Sequence, residues 1–183
     1  MLGRLLQCLL EAVFLVRELR LGDREALGAL LDAAGYPIWA RDYRRWQPRK
    51  PAWNFDPDVH AERVLVAVDG QLVIGVVEGR PPGDHSEEPW GSCLPRLHGW
   101  VDRLVVAPDC RQQGIGTALM DAYAVWASGR GAESVATWVF EWGSSIDVTV
   151  RRGFFASCGF QRLDHPDRYI MGGPILRRRA DGN

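Results

Sequence analysis

The segment Leu104-Val105-Val106-Ala107-Pro108-Asp109-Cys110-Arg111-Gln112-Gln113-Gly114-Ile115-Gly116 concentrates the residue types best suited to chemistry in this chain. A β-rich run ends there, Pro108 turns the chain, and a glycine-punctuated loop opens a helix. That order aims several backbone N–H groups without intrahelical acceptors at one spot, and the positive end of the helix dipole adds to them. Gly114 and Gly116 carry no side chain, so a phosphate can approach the main chain closely. The chemistry implied is phosphate binding. No Gly-Lys-Ser/Thr follows the glycines, which excludes a Walker loop, and the fuller glycine spacing of a dinucleotide fold is missing. A lone G-x-G is weak; the strand, proline, arginine and helix around it make this one specific.

Metal chemistry has no comparable pattern. Cys8, Cys93, Cys110 and Cys158 are widely spaced with no C-x-x-C, and the four histidines include no close pair. No metal site is expected, and free thiols in a reducing cytoplasm are the default. A formal net charge of −1 offers no field for a phosphate backbone, so nucleic acid is not an expected partner. The basic clusters at Arg41, Arg44, Arg45, Arg49, Lys50 and at Arg177-Arg178-Arg179 read as solvated faces.

The elements that must position this loop follow from periodicity. With 183 residues, 46% hydrophobic and 25% charged, the chain has the makings of one α/β domain with a full core. Residues 14–21 read as a first strand, and Gly22-Asp23 as a turn and N-cap. Ala26, Leu27, Leu30 and Leu31 recur at helical spacing up to Gly35-Tyr36-Pro37. A second helix over residues 38–46 puts Trp39, Tyr43 and Trp46 on one face. Residues 64–68 and 71–77, joined at Asp69-Gly70, predict a hairpin. The proline-rich stretch 81–95 predicts a long loop. A strand over 97–106, a helix over 114–127, a strand over 134–140, a helix from a Ser144 or Ser145 cap to Cys158, and short strands at 160–163 and 168–171 complete the order. Residues 1–13 are set apart as an N-terminal extension, and the domain occupies 14–179. The apolar stretch 2–16 is interrupted by Gln7 and Glu11 and is too short for a bilayer, and no cleavage site follows it. An extension helix or an upstream start explains it better than a signal, so no membrane partner is expected.

The phosphate loop resembles the acetyl-CoA motif of the GNAT superfamily of N-acetyltransferases, V-x-P-x-x-R/Q-x-x-G-x-G/A. Phe154-Phe155-Ala156-Ser157-Cys158-Gly159-Phe160 is similar to that family's second signature, F-Y-x-x-x-G-F. The element order from about Phe14 to Met171 matches as well. The resemblance implies an α/β fold with a mixed, mostly antiparallel sheet, flanked by helices, whose central strands splay apart to admit the cofactor arm. It implies acetyl-CoA as co-substrate. The backbone of Gln112, Gln113, Gly114, Ile115, Gly116 and Thr117, with Arg111 beside it, would hold the pyrophosphate. The main chain of Leu104, Val105 and Val106 would pair with the pantetheine arm and polarise the thioester carbonyl.

The implied reaction is direct attack by a primary amine on the thioester in a ternary complex. Such an amine is protonated at neutral pH, with a reference pKa of about 10, so a base is needed. Asp102 and Glu141 lie where relatives place one; a water relay is the alternative. Phe155 departs from the family, since many relatives carry there a tyrosine that protonates the departing thiolate. Tyr169 and Tyr123 could substitute, while Cys158 reads as a structural thiol. Trp39, Trp46, Trp53 and Trp90 are the candidates for an aromatic-walled acceptor pocket, which favours a small, partly apolar amine. The acidic run Asp84, Glu87 and Glu88 reads as a solvated loop that could also attract a cation. A protein or peptide N-acetyltransferase, and a catalytically weak acyl-CoA sensor, remain as alternatives. A homodimer is left open.

Overall fold

The computed structural model describes residues 14–45, 63–83, 97–139, 147–162 and 175–179. Strand β1 (Leu15–Glu18) leads through a short 3-10 turn into helices α1 (Arg24–Ala33) and α2 (Pro37–Arg44). Strands β2 (Arg63–Asp69), β3 (Leu72–Gly83) and β4 (His98–Val106) follow, then α3 (Ile115–Ser128), β5 (Ser134–Trp138), α4 (Val148–Ser157), β6 (Gln161–Arg162) and β7 (Ile175–Arg179). They form one seven-stranded sheet ordered β1-β2-β3-β4-β5-β7-β6. Every pairing is antiparallel except β4 with β5. This is the mixed, mostly antiparallel architecture expected from the sequence.

Period-two alternation sorts the strands' side chains between two helical layers. Val64, Val66 and Val68 of β2 pack with Leu27, Leu30 and Leu31 of α1. Leu65 and Ala67 face the other way, into a core with Ile115, Leu119, Met120 and Tyr123 of α3. Each fully buried Leu, Ile or Val here is worth about 1.5–3 kcal/mol relative to an exposed one. The corner into α1 is held by Asp23, which accepts from the Arg17 guanidinium at 2.6 and 2.9 Å and from the Arg20 N–H at 2.7 Å. The Arg17 hydrogen bonds hold the Asp23 carboxyl below its usual range.

Several boundaries differ from the expectation, each for a physical reason. The hairpin turn is Gly70-Gln71, because Asp69 still pairs with Leu72, and Gly70 takes the positive φ of 57° at the first turn position. Strand β3 runs on through Pro81 and Pro82 to Gly83, so those prolines belong to a strand. The register slips between Arg80 and Gly83, which is where a sheet tolerates residues that cannot donate. The cap of α4 is Asp147, whose carboxylate accepts from the Thr149 N–H at 2.6 Å; Ser144 and Ser145 lie outside the described residues. The basic run Arg177-Arg178-Arg179 forms part of β7, paired with Ser134, Val135 and Ala136. The strand expected over 168–171 lies outside the described residues. No described helix is long and apolar enough to cross a membrane.

Candidate active site

Two neighbouring strands part at the centre of the sheet. β4 and β5 pair from His98–Ser134 to Val101–Thr137 and no further, although β4 continues to Val106. The Thr137 hydroxyl donates to the Val101 carbonyl at 3.0 Å and closes the last rung. Beyond it, a cavity of about 690 Å³ is lined by Asp102, Arg103, Leu104, Val105 and Val106 on β4 and by Thr137 and Val139 at the end of β5.

The same cavity reaches the phosphate loop. Arg111, Gln112, Gly114, Gly116 and Thr117 line it, with Cys110 beside them. Gln112 has φ 62° and Gly114 φ 80°, so two left-handed residues curl the chain just before α3. The ladder of α3 begins with the Ala118 N–H donating to the Gly114 carbonyl at 3.0 Å, which places the N–H groups of Ile115, Gly116 and Thr117 ahead of it. A Cβ on Gly116 would lie 3.0 and 3.1 Å from the Phe154 ring, so the helix start and α4 meet closely there and a side chain would have to push the ring aside by a few tenths of an ångström. Arg111 Nε donates to the Val106 carbonyl at 3.3 Å, tying the loop to the end of β4. Of the residues expected in the loop, Gln113 and Ile115 do not line the cavity. Gln113 donates to the Asp109 carbonyl at 3.2 Å, and the Ile115 side chain is buried in the core.

The other end of the cavity carries charge. Arg103 pairs with Glu78 and Gly79 with Val101, so Asp102 is the extra residue of a β-bulge. Gly79 permits it: a Cβ there would stand 2.4 Å from the Trp100 carbonyl oxygen and 2.6 Å from the Tyr123 ring. The Tyr123 hydroxyl sits 2.6 Å from the Arg80 carbonyl and 3.0 Å from that of Trp100, bracing the bulge from behind. Asp102 is thereby aimed into the cavity, with Arg80 Nε 3.3 Å from its Oδ2. Its side chain is 30% exposed, and that exposure opens on the cavity. Burial pushes the Asp102 carboxyl up to about 6; Arg80 opposes the rise and Glu78 adds to it. Arg103 pairs with Glu78, which is wholly buried.

Trp39 reaches the cavity as expected, but its ring faces are occupied. Tyr36 stacks on one at 4.4 Å, and the Arg103 guanidinium lies 4.6 Å from the ring centroid. The tryptophan is therefore one layer of a stack rather than a free platform. Phe155 is buried beside Phe154 and Phe160 and lines the cavity. Tyr123 does not line it, and burial pushes its phenol well above 10, so this core tyrosine is no substitute acid. The Cys158 thiol is buried and lies 3.9 Å from the Thr117 hydroxyl, a structural position. Trp46, Trp53, Trp90, Glu141 and Tyr169 lie outside the described residues. Among the described residues no cluster of His, Cys, Asp and Glu could hold a metal. Sequence reasoning missed Arg103, Thr137, Tyr36 and Arg151 as lining residues; the one signal available was Glu78, a charge on a strand directly after the apolar pair Val76-Val77.

The family model for the acetyltransferase (GNAT) family matches residues 33–160. The chain belongs to the GNAT acetyltransferase family. No curated protein sequence matches it. Among solved structures, a GNAT-family acetyltransferase from Desulfovibrio desulfuricans superposes with a TM-score of 0.65 at 13% identity, over 92% of this chain and 99% of that one. The PaiA N-acetyltransferase of Thermoplasma acidophilum, in complex with coenzyme A, gives a TM-score of 0.59 at 15% identity, over 91% and 98%. The ribosomal-protein-S18-alanine N-acetyltransferase of Escherichia coli gives 0.60 at 13% identity, over 92% and 94%. At these identities the likeness is one of fold, and the GNAT assignment rests on the family model.

Proposed function

We propose that this GNAT domain transfers an acetyl group from acetyl-CoA to the primary amine of a small molecule, with Asp102 as general base. The observation that carries the reading is the single cavity, which joins the amide-rich start of α3 to a carboxylate aimed in by a bulge. The loop fits a phosphate on two counts: left-handed turns at Gln112 and Gly114, and helix N–H groups ahead of the ladder. Acetyl-CoA supplies an acyl thioester. Residues 104–106, unpaired with β5, offer a backbone edge along which an extended pantetheine arm can lie.

Asp102 suits a base because its carboxyl, raised to about 6, is ionised at neutral pH yet holds a proton better than an exposed aspartate. Arg80 restrains the carboxylate at 3.3 Å. The small-molecule acceptor is supported by the closed stack of Tyr36, Trp39 and Arg103, which narrows the β4 end of the cavity. The test is a thioester-consumption assay against paired panels of small amines and of peptides with free N-termini, alongside CoA titration by calorimetry. Turnover with small amines is the expected outcome, with CoA raising the unfolding temperature by mass action. Turnover confined to peptides would move the acceptor to the protein class. CoA binding without turnover would make the domain a sensor, and no binding at millimolar CoA would overturn the reading.

Phe155 leaves the departing thiolate without the family's tyrosine. Phe155→Tyr is expected to preserve the fold, since the ring is unchanged in size, and to raise the maximal rate about ten-fold by supplying a proton at the thiolate. An equal or slower rate, with unchanged CoA affinity, would mean that protonation comes from elsewhere or does not limit turnover. A buried hydroxyl without a partner would then cost about 1–3 kcal/mol, read as a lower unfolding temperature.

A further inference from the structure

Asp102 and Arg103 are neighbours in sequence, and a regular strand would turn them to opposite faces. The bulge changes that: Asp102 is the extra residue, so it and Arg103 both line the cavity. Their counter-charges stand behind the wall. Arg80 lies 3.3 Å from the Asp102 carboxylate, and Glu78, wholly buried, holds the Nη1 end of the Arg103 guanidinium. Neither Arg80 nor Glu78 lines the cavity. The cavity therefore meets one carboxylate and one guanidinium side by side, drawn from a coupled cluster of two acids and two guanidinium groups whose formal charges cancel. Trp39 covers one face of the Arg103 guanidinium, and Tyr43 is coupled to it from α2. The side chain still keeps 15% exposure. A guanidinium carries five N–H donors in one plane, so with Glu78 at Nη1 and a ring on its face it can serve a second carboxylate.

We infer that the acceptor is an amino carboxylate, a small molecule that sets its amine on Asp102 and its carboxylate on Arg103. This rests on reading Asp102 as the base of an amine acetyltransferase, and it names the substrate class. Such an acceptor arrives as a zwitterion and adds no net charge where charges already cancel. A plain ammonium adds one, which burial penalises. Asp102 takes one proton from the ammonium, and the freed nitrogen attacks the acyl carbon as the C–S bond breaks. The departing sulfur takes the proton that the nitrogen sheds on becoming an amide. The carboxylate has no part in that exchange; held on Arg103, it places the nitrogen.

The test compares acceptors that differ only by the carboxylate: phenylalanine with phenethylamine, leucine with isopentylamine, and β-alanine with ethylamine. Two quantities are measured on the wild type, kcat/KM with acetyl-CoA and, by calorimetry, acceptor binding to the CoA-loaded protein. The carboxylate form of the best-used pair is expected to lead by about ten-fold or more in both. Its amide, which keeps the size and loses the charge, should behave like the plain amine. Glu78→Leu combined with Arg103→Met removes the ion pair without orphaning a buried carboxylate. In that double variant, its fold checked by unfolding temperature, the ratio within each pair should fall toward one. A ratio that survives in the folded variant would move the carboxylate away from Arg103 and overturn the inference. Equal use and equal binding within every wild-type pair would overturn it and leave the transferase reading standing, and a preference for peptide N-termini over amino acids would overturn it as well. Carboxylate-dependent binding without turnover would support the subsite and sink the transferase reading.

Discussion

Asp102→Asn is expected to lower the maximal acetyl-transfer rate by about 10²–10⁴, the usual contribution of a positioned base, with little change in CoA affinity. In the wild type the rate should rise with pH through an apparent value near 6, because Asp102 must lose its proton before it can accept one. The variant's residual rate should lack that limb. Stability should move the other way. A carboxyl whose value rises on folding contributes stability that is complete below its unfolded value, about 3.9, and is lost as pH climbs through about 6. At neutral pH the ionised Asp102 is therefore a burden on the fold. The asparagine variant should unfold at a higher temperature than the wild type at pH 7.5 and lose that advantage at pH 4. An active variant would remove Asp102 from the role of base, and one without the pH-dependent gain would remove the raised carboxyl.

Gly116→Glu is expected to abolish measurable CoA binding, a loss of at least 100-fold, while the protein stays folded. A Cβ at this position pushes on the Phe154 ring at 3.0 Å and comes within 3.7 Å of Val106 Cγ2, so the ring must yield by a few tenths of an ångström. Against that strain, glutamate is a better helix former than glycine, and its charge at a helix N-terminus contributes about 0.3–1 kcal/mol. The charge that suits the helix would repel the phosphate that the loop is proposed to hold. Gly114 is the poorer test, since φ 80° makes any side chain there strained by about 1–2 kcal/mol whatever binds. Retained CoA affinity in folded Gly116→Glu would reduce the loop to a turn.

The parts of the site legible in the sequence are those whose geometry is local. A proline followed by Gly-x-Gly at a strand-to-helix junction sets its own backbone, so residues 111–117 could be singled out before any packing was known. The alternation of Val64 to Val68 likewise sorted itself into two layers. Asp102 was visible only as a residue on a strand. Its aim depends on a register slip against Glu78 and Gly79, some two dozen residues earlier, and on Tyr123 beneath. Trp39 showed its type and not its company: no spacing rule announces that Tyr36 and Arg103 cover its faces. Arg151 went unread because a charge on an amphipathic helix looks solvated until the helix is docked against Gly116.

The parting of β4 from β5 gives the sheet an edge in its interior. Outer edges are commonly guarded by lysine, proline or short length, because a bare strand recruits others. The inner edge is written in the opposite style, as Leu104-Val105-Val106, with no charge among the three. Its guards stand at its ends. The Thr137 hydroxyl covers the Val101 carbonyl at the closed end, and Arg111 covers the Val106 carbonyl at the mouth. Between those two clasps the bare backbone faces the cavity between β4 and β5 rather than the outer rim of the sheet. The hazard that would make an outer strand aggregate is here turned inward, onto the cavity in which the cofactor arm is proposed to lie.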